Sequence, residues 1–468
     1  MSLAEIRSDA GAGATRHLIR LACHLGYDDL DAATRHAAKR HILDTLGAIV
    51  AGAQQKPSEI AEAVLASTMP AGVVPVPGRA RRADPLSAAY LAGVSAHGLE
   101  LDDGYRAGSV HPGAVVVPAA LAAAHLSPCD GEALIAAVVV GYEIACRIAE
   151  TAHPHARWRG FHNTSTAGVF AAAGAAGVLL GLDEAQMGNA LGLAASSAGG
   201  LFAFMNGGGD VKRLHPGHAA REGLQAALQA QRGMEGPPDV LEGRDGFFQA
   251  FAGGDVAKRD YGAVDLFASP PPFAITQCYV KPHACCRHIQ PALDAMLALL
   301  NAHDLAPDDV AAVEVGTYAV AASHAASGWE NMATAQLSFP FVMATGLRKR
   351  RVTLHDFDEA ARCDPETVAA CAKIEVTVAD AAEADYPRRR PAEVRLVTTD
   401  GRAFENAVDE ASGDYLYPLD DDALAAKFTG LVMPVLGAER TAAALDALWR
   451  LDSAEAAGAV AELLVPAV

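Results

Sequence analysis

The chain has 468 residues, more than one hydrophobic core usually serves, so two domains are expected. Just over half of the residues (51%) are apolar, with 43 glycines and few aromatics, a composition suited to closely packed helices with small residues at their crossings. Lys plus Arg number 37 against 56 Asp plus Glu, and the net charge of −19 argues against nucleic-acid and anionic-membrane partners; an anionic substrate has to be gathered by a few focused cations.

The N-terminus, MSLAEIRSDAGAGATRHL, lacks the charged-then-apolar order of a signal peptide. The eight cysteines show no CxxC pair and no framework spacing, as expected of reduced thiols in a cytoplasmic protein. Apolar residues at helical spacing predict helices over 15–25, 31–53, 57–68, 85–99, 113–126, 130–151, 163–181, 184–198 and 217–233. Within the second of these, Asp44 needs a backbone or basic partner, because a lone buried carboxylate is costly. The longest uncharged run, Gly160 to Leu182, is rich in Ala and Gly and contains His162, so it reads as a buried helix rather than a membrane span.

Ala268-Ser269-Pro270-Pro271-Pro272 reads as a domain boundary, since consecutive prolines stop a helix and stiffen the connection. Beyond it, 310–320, 373–380 and 392–408 alternate like strands, the last carrying a hairpin turn at Asp400-Gly401. Helical stretches at 288–303, 333–347 and 356–371 lie between them. The expected organisation is a helical domain over 1–268, an α+β domain over 269–408, and C-terminal helices over 409–468 packing back on the first. Arg388-Arg389-Arg390 reads as a solvated basic loop.

Three stretches carry candidate chemistry. Glu100-Leu-Asp102-Asp103 places three carboxylates within four residues, followed by His111 at a helix start; they form either an exposed acidic turn or a set that orients a histidine or lysine. Asp210-Val-Lys212-Arg213-Leu-His215-Pro-Gly-His218 follows the glycines 207–209 and reads as a loop feeding a helix after Pro216, either a basic loop fixed to the ends of other helices or a pocket for a small carboxylate with Lys212 inside it. Tyr279-Val-Lys281-Pro-His283-Ala-Cys285-Cys286-Arg287-His288 is the third. His162 opens the small-residue helix. No stretch has CxxC, HExxH, P-loop or dinucleotide-binding regularity, so neither a metal nor an organic cofactor is expected.

Taken in order, KRHILDTLGAIVAG (39–52), HGLELDDGY (97–105), HPGAVVVPAALA (111–122), GFHNTSTAGVFAAAGAAGVLLGL (160–182), VKRLHPGHAAREGLQAALQAQRGMEGPPDVLEGRDGFFQAF (211–251), YVKPHACCRH (279–288) and the segment from Gly413 to Phe428, with Pro418 and Lys427-Phe428, resemble the MmgE/PrpD family across nearly the whole chain. The resemblance implies a mainly α fold, with a large all-helical domain plus a smaller α+β lid domain. It also implies a homodimer, an active site between the domains and metal-independent chemistry. Residue by residue it implies Lys212, His111, His162 and Asp103 as catalytic, and Glu100, Asp102 and Lys281 as further site residues; His215, in the same stretch as Lys212, joins the substrate-binding set. Glu100 stands where the family often has Asp, and Gly104 where it often has Thr. The span from Asp103 to His111 is one residue longer than in cis-aconitate decarboxylases. These departures bear on the substrate.

The expected activity is proton abstraction α to a carboxylate on a small di- or tricarboxylate, in a hydro-lyase of the 2-methylcitrate dehydratase type. The alternatives are an epimerase of iminodisuccinate-like amino-dicarboxylates, a cis-aconitate-type decarboxylase, and a non-catalytic carboxylate-binding protein.

Overall fold

A computed structural model describes residues 13–205, 210–253 and 272–467. The glycines 207–209 and residues 268–271 of the expected proline boundary lie outside the described residues. The chain forms two compact units, Met1–Tyr279 with Asp420–Val468, and Val280–Leu419.

The larger unit is helical. Its principal helices are α1 (Ala32–Gly52), α2 (Pro85–Ala96), α3 (Gly113–Leu126), α4 (Gly131–Ala152), α5 (Gly168–Leu179) and α6 (Val211–Gln231). Asp31, Asp84 and Asp130 start α1, α2 and α4, each side chain accepting from backbone N–H groups of the first turn. The uncharged run forms α5, buried on nearly every side. No helix among the described residues is long and apolar enough to cross a membrane.

Two boundaries differ from expectation and both matter for the site. Helix α2 stops at Ala96, not 99, so His97 caps it and Gly98 begins a turn. Helix α6 starts at Val211 and not after Pro216, placing Lys212, Arg213, His215 and His218 in its first turns instead of a loop. Pro216 lies inside the helix, beyond its first turn, and its missing N–H removes the intrahelical bond to the Lys212 carbonyl. The expected helix over 163–181 also breaks, into the single turn Asn163–Thr166 and α5.

Helices α2 and α6 cross at two glycines. A Cβ on Gly93 would lie 2.8 Å from the Cα of Gly217, and a Cβ on Gly217 would lie 2.5 Å from the carbonyl oxygen of Tyr90. Only residues without side chains allow that approach. It sets the end of α2, with His97, beside the start of α6, with Lys212 and His215.

In the smaller unit a four-stranded sheet has the order β2-β1-β3-β4, formed by β1 (Val310–Thr317), β2 (Ile374–Val378), β3 (Ala392–Thr398) and β4 (Ala403–Val408). β1 and β2 are parallel; the other pairs are antiparallel. The β3–β4 hairpin turns at Gly401, whose φ of 85° suits glycine. Helices α7 (Gln290–Ala302) and α8 (Phe339–Lys349) belong to this unit. The stretches 333–347 and 356–371 are each split into two helices, because Pro340 and Pro365 start new ones.

After this unit the chain returns to the larger one as α9 (Asp421–Leu436). Phe428 lies over Gly47 of α1, where a Cβ would meet its ring at 3.2 Å. The Nζ of Lys427 donates to Asp44 Oδ1 at 2.6 Å and to the carbonyl of Leu101 at 2.8 Å. The buried carboxylate on α1 thus has its basic partner, and that partner also holds the turn after α2.

Candidate active site

That turn is buried. Glu100 is 8% exposed, and Asp102 and Asp103 are wholly enclosed, so the exposed acidic reading fails. Three charges can be buried together only if each is partnered. Glu100 pairs with the Nζ of Lys212, at the start of α6. Asp102 Oδ2 accepts from His97 Nδ1 at 2.6 Å. Asp103 accepts from Tyr142 Oη at 2.7 Å and from the backbone N–H of Gly113 at 3.0 Å, and His41 Nδ1 lies 3.0 Å from it. The backbone bends hard to achieve this: Glu100 has a φ of 54°, in the left-handed region that non-glycine residues seldom occupy.

Glycines admit these contacts. A Cβ on Gly113 would lie 2.6 Å from Tyr142 Oη and 2.8 Å from Asp103 Oδ1. Gly104 exchanges backbone hydrogen bonds with Tyr279, at 3.1 and 2.8 Å, and a Cβ there would come within 2.3 Å of the tyrosine hydroxyl. The Tyr279 ring occupies the space of a residue-104 side chain.

The turn delivers His111 to the start of α3. Its Nδ1 lies 2.6 Å from the backbone carbonyl of Asp103; a carbonyl only accepts, so Nδ1 carries the hydrogen. The His111 backbone N–H donates to Thr164 Oγ1 at 3.2 Å, and Asn163 Nδ2 donates to the Gly108 carbonyl at 2.7 Å. The polar residues after His162 thereby tie the His111 segment in place. Because their side chains serve that segment, they form a separate turn ahead of α5.

His162 and His215 face each other, Nδ1 to Nδ1, at 2.9 Å. Burial, reinforced by the neighbouring His97, His215, Lys212 and His111, holds His162 well below the ordinary histidine range. Burial, with His97, His218 and Lys212, pushes His215 down to about 4. At neutral pH both rings are therefore uncharged, and one Nδ1–H donates to the other Nδ1. Such a pair presents one protonated and one bare Nε2. The rings of Phe202 and Phe204 pack on His162 at 5.5 and 5.3 Å, keeping water away.

Of the residues expected from the sequence, Glu100, Asp102, Asp103, His111, His162, Lys212 and His215 gather in the larger unit. Asp103, expected to be catalytic, has its carboxylate turned to the helical scaffold; it reaches the cluster through its backbone carbonyl. Lys281 belongs to the smaller unit, where it is buried among cations and its charge bears on His288 and Cys285. One participant was missed. His97 lies wholly enclosed with its ring 4.8 Å from His111 and 5.9 Å from His162. The available signal was a histidine just ahead of a glycine and an acidic triplet, on the side where α2 must end.

His97, Asp102 and His111 bring ligand-type atoms within 4.8 Å of one another. Ligand atoms on a tetrahedral zinc stand about 3.3 Å apart, given bonds of about 2.0–2.1 Å. The 2.6 Å between His97 and Asp102 is instead a hydrogen bond, and His111 Nδ1 is directed at a carbonyl.

Comparison with known proteins agrees with this architecture. Residues 16–260 match the MmgE/PrpD N-terminal domain and residues 283–451 the MmgE/PrpD C-terminal domain. A cis-aconitate decarboxylase of Aspergillus terreus is 27% identical over 98% of this chain and 97% of its own length. A second, from A. terreus strain NIH 2624, is 30% identical over 75% of each chain. The cis-aconitate decarboxylase of Homo sapiens is 33% identical over 46% of this chain and 45% of its own. On both domain matches and the near-complete alignment, the chain belongs to the MmgE/PrpD family.

Proposed function

We propose that the chain is a lyase working by proton transfer on a small di- or tricarboxylate, and that its reaction is decarboxylation of a cis-aconitate-like acid. The observation that carries this reading is the buried cluster itself: an imidazole with its tautomer fixed, His111, beside a lysine–glutamate pair and two neutral histidines. The relatives favour decarboxylation over the dehydration expected from the motifs.

In that reaction the methylene carboxylate leaves as CO₂. The electrons of its C–C bond enter the adjacent double-bond system and form an allylic carbanion conjugated with a remaining carboxylate. A proton delivered to the far carbon completes the product, so each turnover consumes one proton. His111 Nε2 is the atom we assign to that delivery. Lys212 stabilises the negative charge as it moves, in surroundings that exclude water. Glu100 holds the Lys212 ammonium, His162 and His215 shape and polarise the substrate site, and Asp102 and Asp103 position His111.

Incubating the protein separately with cis-aconitate, 2-methylcitrate and iminodisuccinate, and following each by proton and carbon NMR, tests the reading. Release of CO₂ from cis-aconitate is expected. Loss of water from 2-methylcitrate alone, or interconversion of iminodisuccinate stereoisomers alone, would replace decarboxylation with one of the other activities of this chemistry.

A further inference from the structure

His97 has no part in the scheme above, yet it is among the most enclosed polar side chains of the larger unit. An ionised carboxylate only accepts, so the 2.6 Å contact with Asp102 Oδ2 puts a hydrogen on His97 Nδ1. The same carboxylate oxygen lies 3.3 Å from His111 Nδ1, whose hydrogen goes to the Asp103 carbonyl. The other nitrogen of His97, Nε2, is buried and has no hydrogen-bond partner among the described residues. Buried polar atoms of native proteins are nearly always partnered, and an exception marks strain, water or a ligand. Bracing Asp102 requires only Nδ1, so it leaves Nε2 unexplained. The ring stands between those of His111 and His162, in the middle of the cluster.

We propose that His97 Nε2 is a ligand-binding atom: it takes up a proton when a small di- or tricarboxylate enters and donates it to one of the ligand's carboxylate oxygens, with Asp102 as counter-charge. This rests on the reading that the site takes such a carboxylate. The charged and titratable groups around the ring fit the linkage. Asp102 and His111 come from the turn, and His162 from the single turn before α5. Lys212 and His215 come from α6, where Arg213 also donates to the Gly98 carbonyl at 3.1 Å. Without a ligand, a proton on Nε2 has no acceptor among the described residues. A carboxylate supplies the missing acceptor and the missing charge together, so binding and proton uptake become one event. The bond so formed is charge-assisted, the stronger kind.

The test is calorimetric titration of the intact protein with propane-1,2,3-tricarboxylate, an unreactive tricarboxylate, in two buffers of different ionisation enthalpy near pH 8. Wild type is expected to take up close to one proton per ligand. In His97→Asn the amide nitrogen can replace Nδ1 as donor to Asp102 while Nε2 is lost. That variant is expected to lose the uptake and to bind about tenfold more weakly. Imidazole ¹⁵N spectra of the wild type provide the second measurement: the Nε2 of His97 should change from bare to protonated on saturation. Binding without proton uptake, or a His97 Nε2 that stays bare at saturation, overturns the inference and leaves the proposed reaction standing. Failure of the wild type either to bind this probe or to turn over cis-aconitate overturns both.

Discussion

Two buried histidine clusters, one in each unit, respond to burial in the same way and differ in what surrounds them. In the larger unit His162 is held well below its ordinary value and His215 down to about 4. In the smaller unit His288 is likewise held well below, by burial and by the charges of Arg390, His324, Arg287 and Lys281. Its Nδ1 lies 2.5 Å from the Tyr318 hydroxyl. Among the carboxylates of that unit, Asp294 lies 3.4 Å from His283 and Asp414 3.9 Å from Arg287. In the larger unit, carboxylates interleave with the imidazoles, and Asp102 lies within reach of two of them. Burial alone makes a neutral histidine. A counter-charge at hydrogen-bond distance is what lets a histidine carry a proton, and that is the property we assign to the larger unit's cluster.

Removing one group from each cluster separates their roles most strongly. His111→Asn is expected to lower kcat by about 10²–10³-fold with little change in thermal stability, and Lys212→Ala to lower kcat by as much while also destabilising the larger unit, because it takes the paired ammonium from the buried Glu100 carboxylate. His288→Asn is expected to cost less turnover. An equal loss at His288 would end the distinction between the clusters. A large effect on folding is expected at the scaffold carboxylate Asp44: Asp44→Ala leaves Lys427 buried without its charge partner and should destabilise the larger unit by about 3–5 kcal/mol, read by chemical denaturation.

The pH dependence sharpens the comparison. His162 and His215 have folded-state values below the unfolded value of about 6.5. Below that pH the unfolded chain binds protons that the folded chain refuses, so stability falls as pH drops from about 6.5 toward about 4 and is unaffected above it. Melting temperatures across this window should show the slope, and His215→Asn should reduce it. A smaller effect is expected at the helix crossing. Gly217→Ala forces a methyl group against the Tyr90 carbonyl and should cost about 1–3 kcal/mol, while shifting Lys212 and His215 enough to lower turnover.

Much of this was legible in the sequence, for physical reasons. Helical periodicity, Asp caps and the Asp-Gly hairpin are local signals, and the elements they mark appear close to where expected. Asp44 announced its need for a partner, and Lys427 meets it. Other features depended on tertiary structure. Three adjacent carboxylates look solvated until a helix N-terminus, Tyr142, His97 and Lys212 are folded around them. Pro216 looks like a helix boundary because proline usually is one, yet α6 runs through it, its packing against α2 and α5 outweighing the lost backbone bond. Arg390 resembled its exposed neighbours Arg388 and Arg389, whereas its charge bears on His288. His97 carries no motif of its own. Its role rests on where α2 ends and on the two glycines that let α6 lie against it.

The central claim is that the larger unit's buried cluster delivers a proton to a carbanion formed by loss of CO₂. The most direct test is a time course of cis-aconitate in D₂O, run with wild type and His111→Asn under identical conditions. The wild type is expected to release CO₂, with one deuterium at a single carbon of the product, and the variant to lose both almost completely. Product formation at an undiminished rate by the variant, or deuterium exchange without CO₂ release by the wild type, would contradict it.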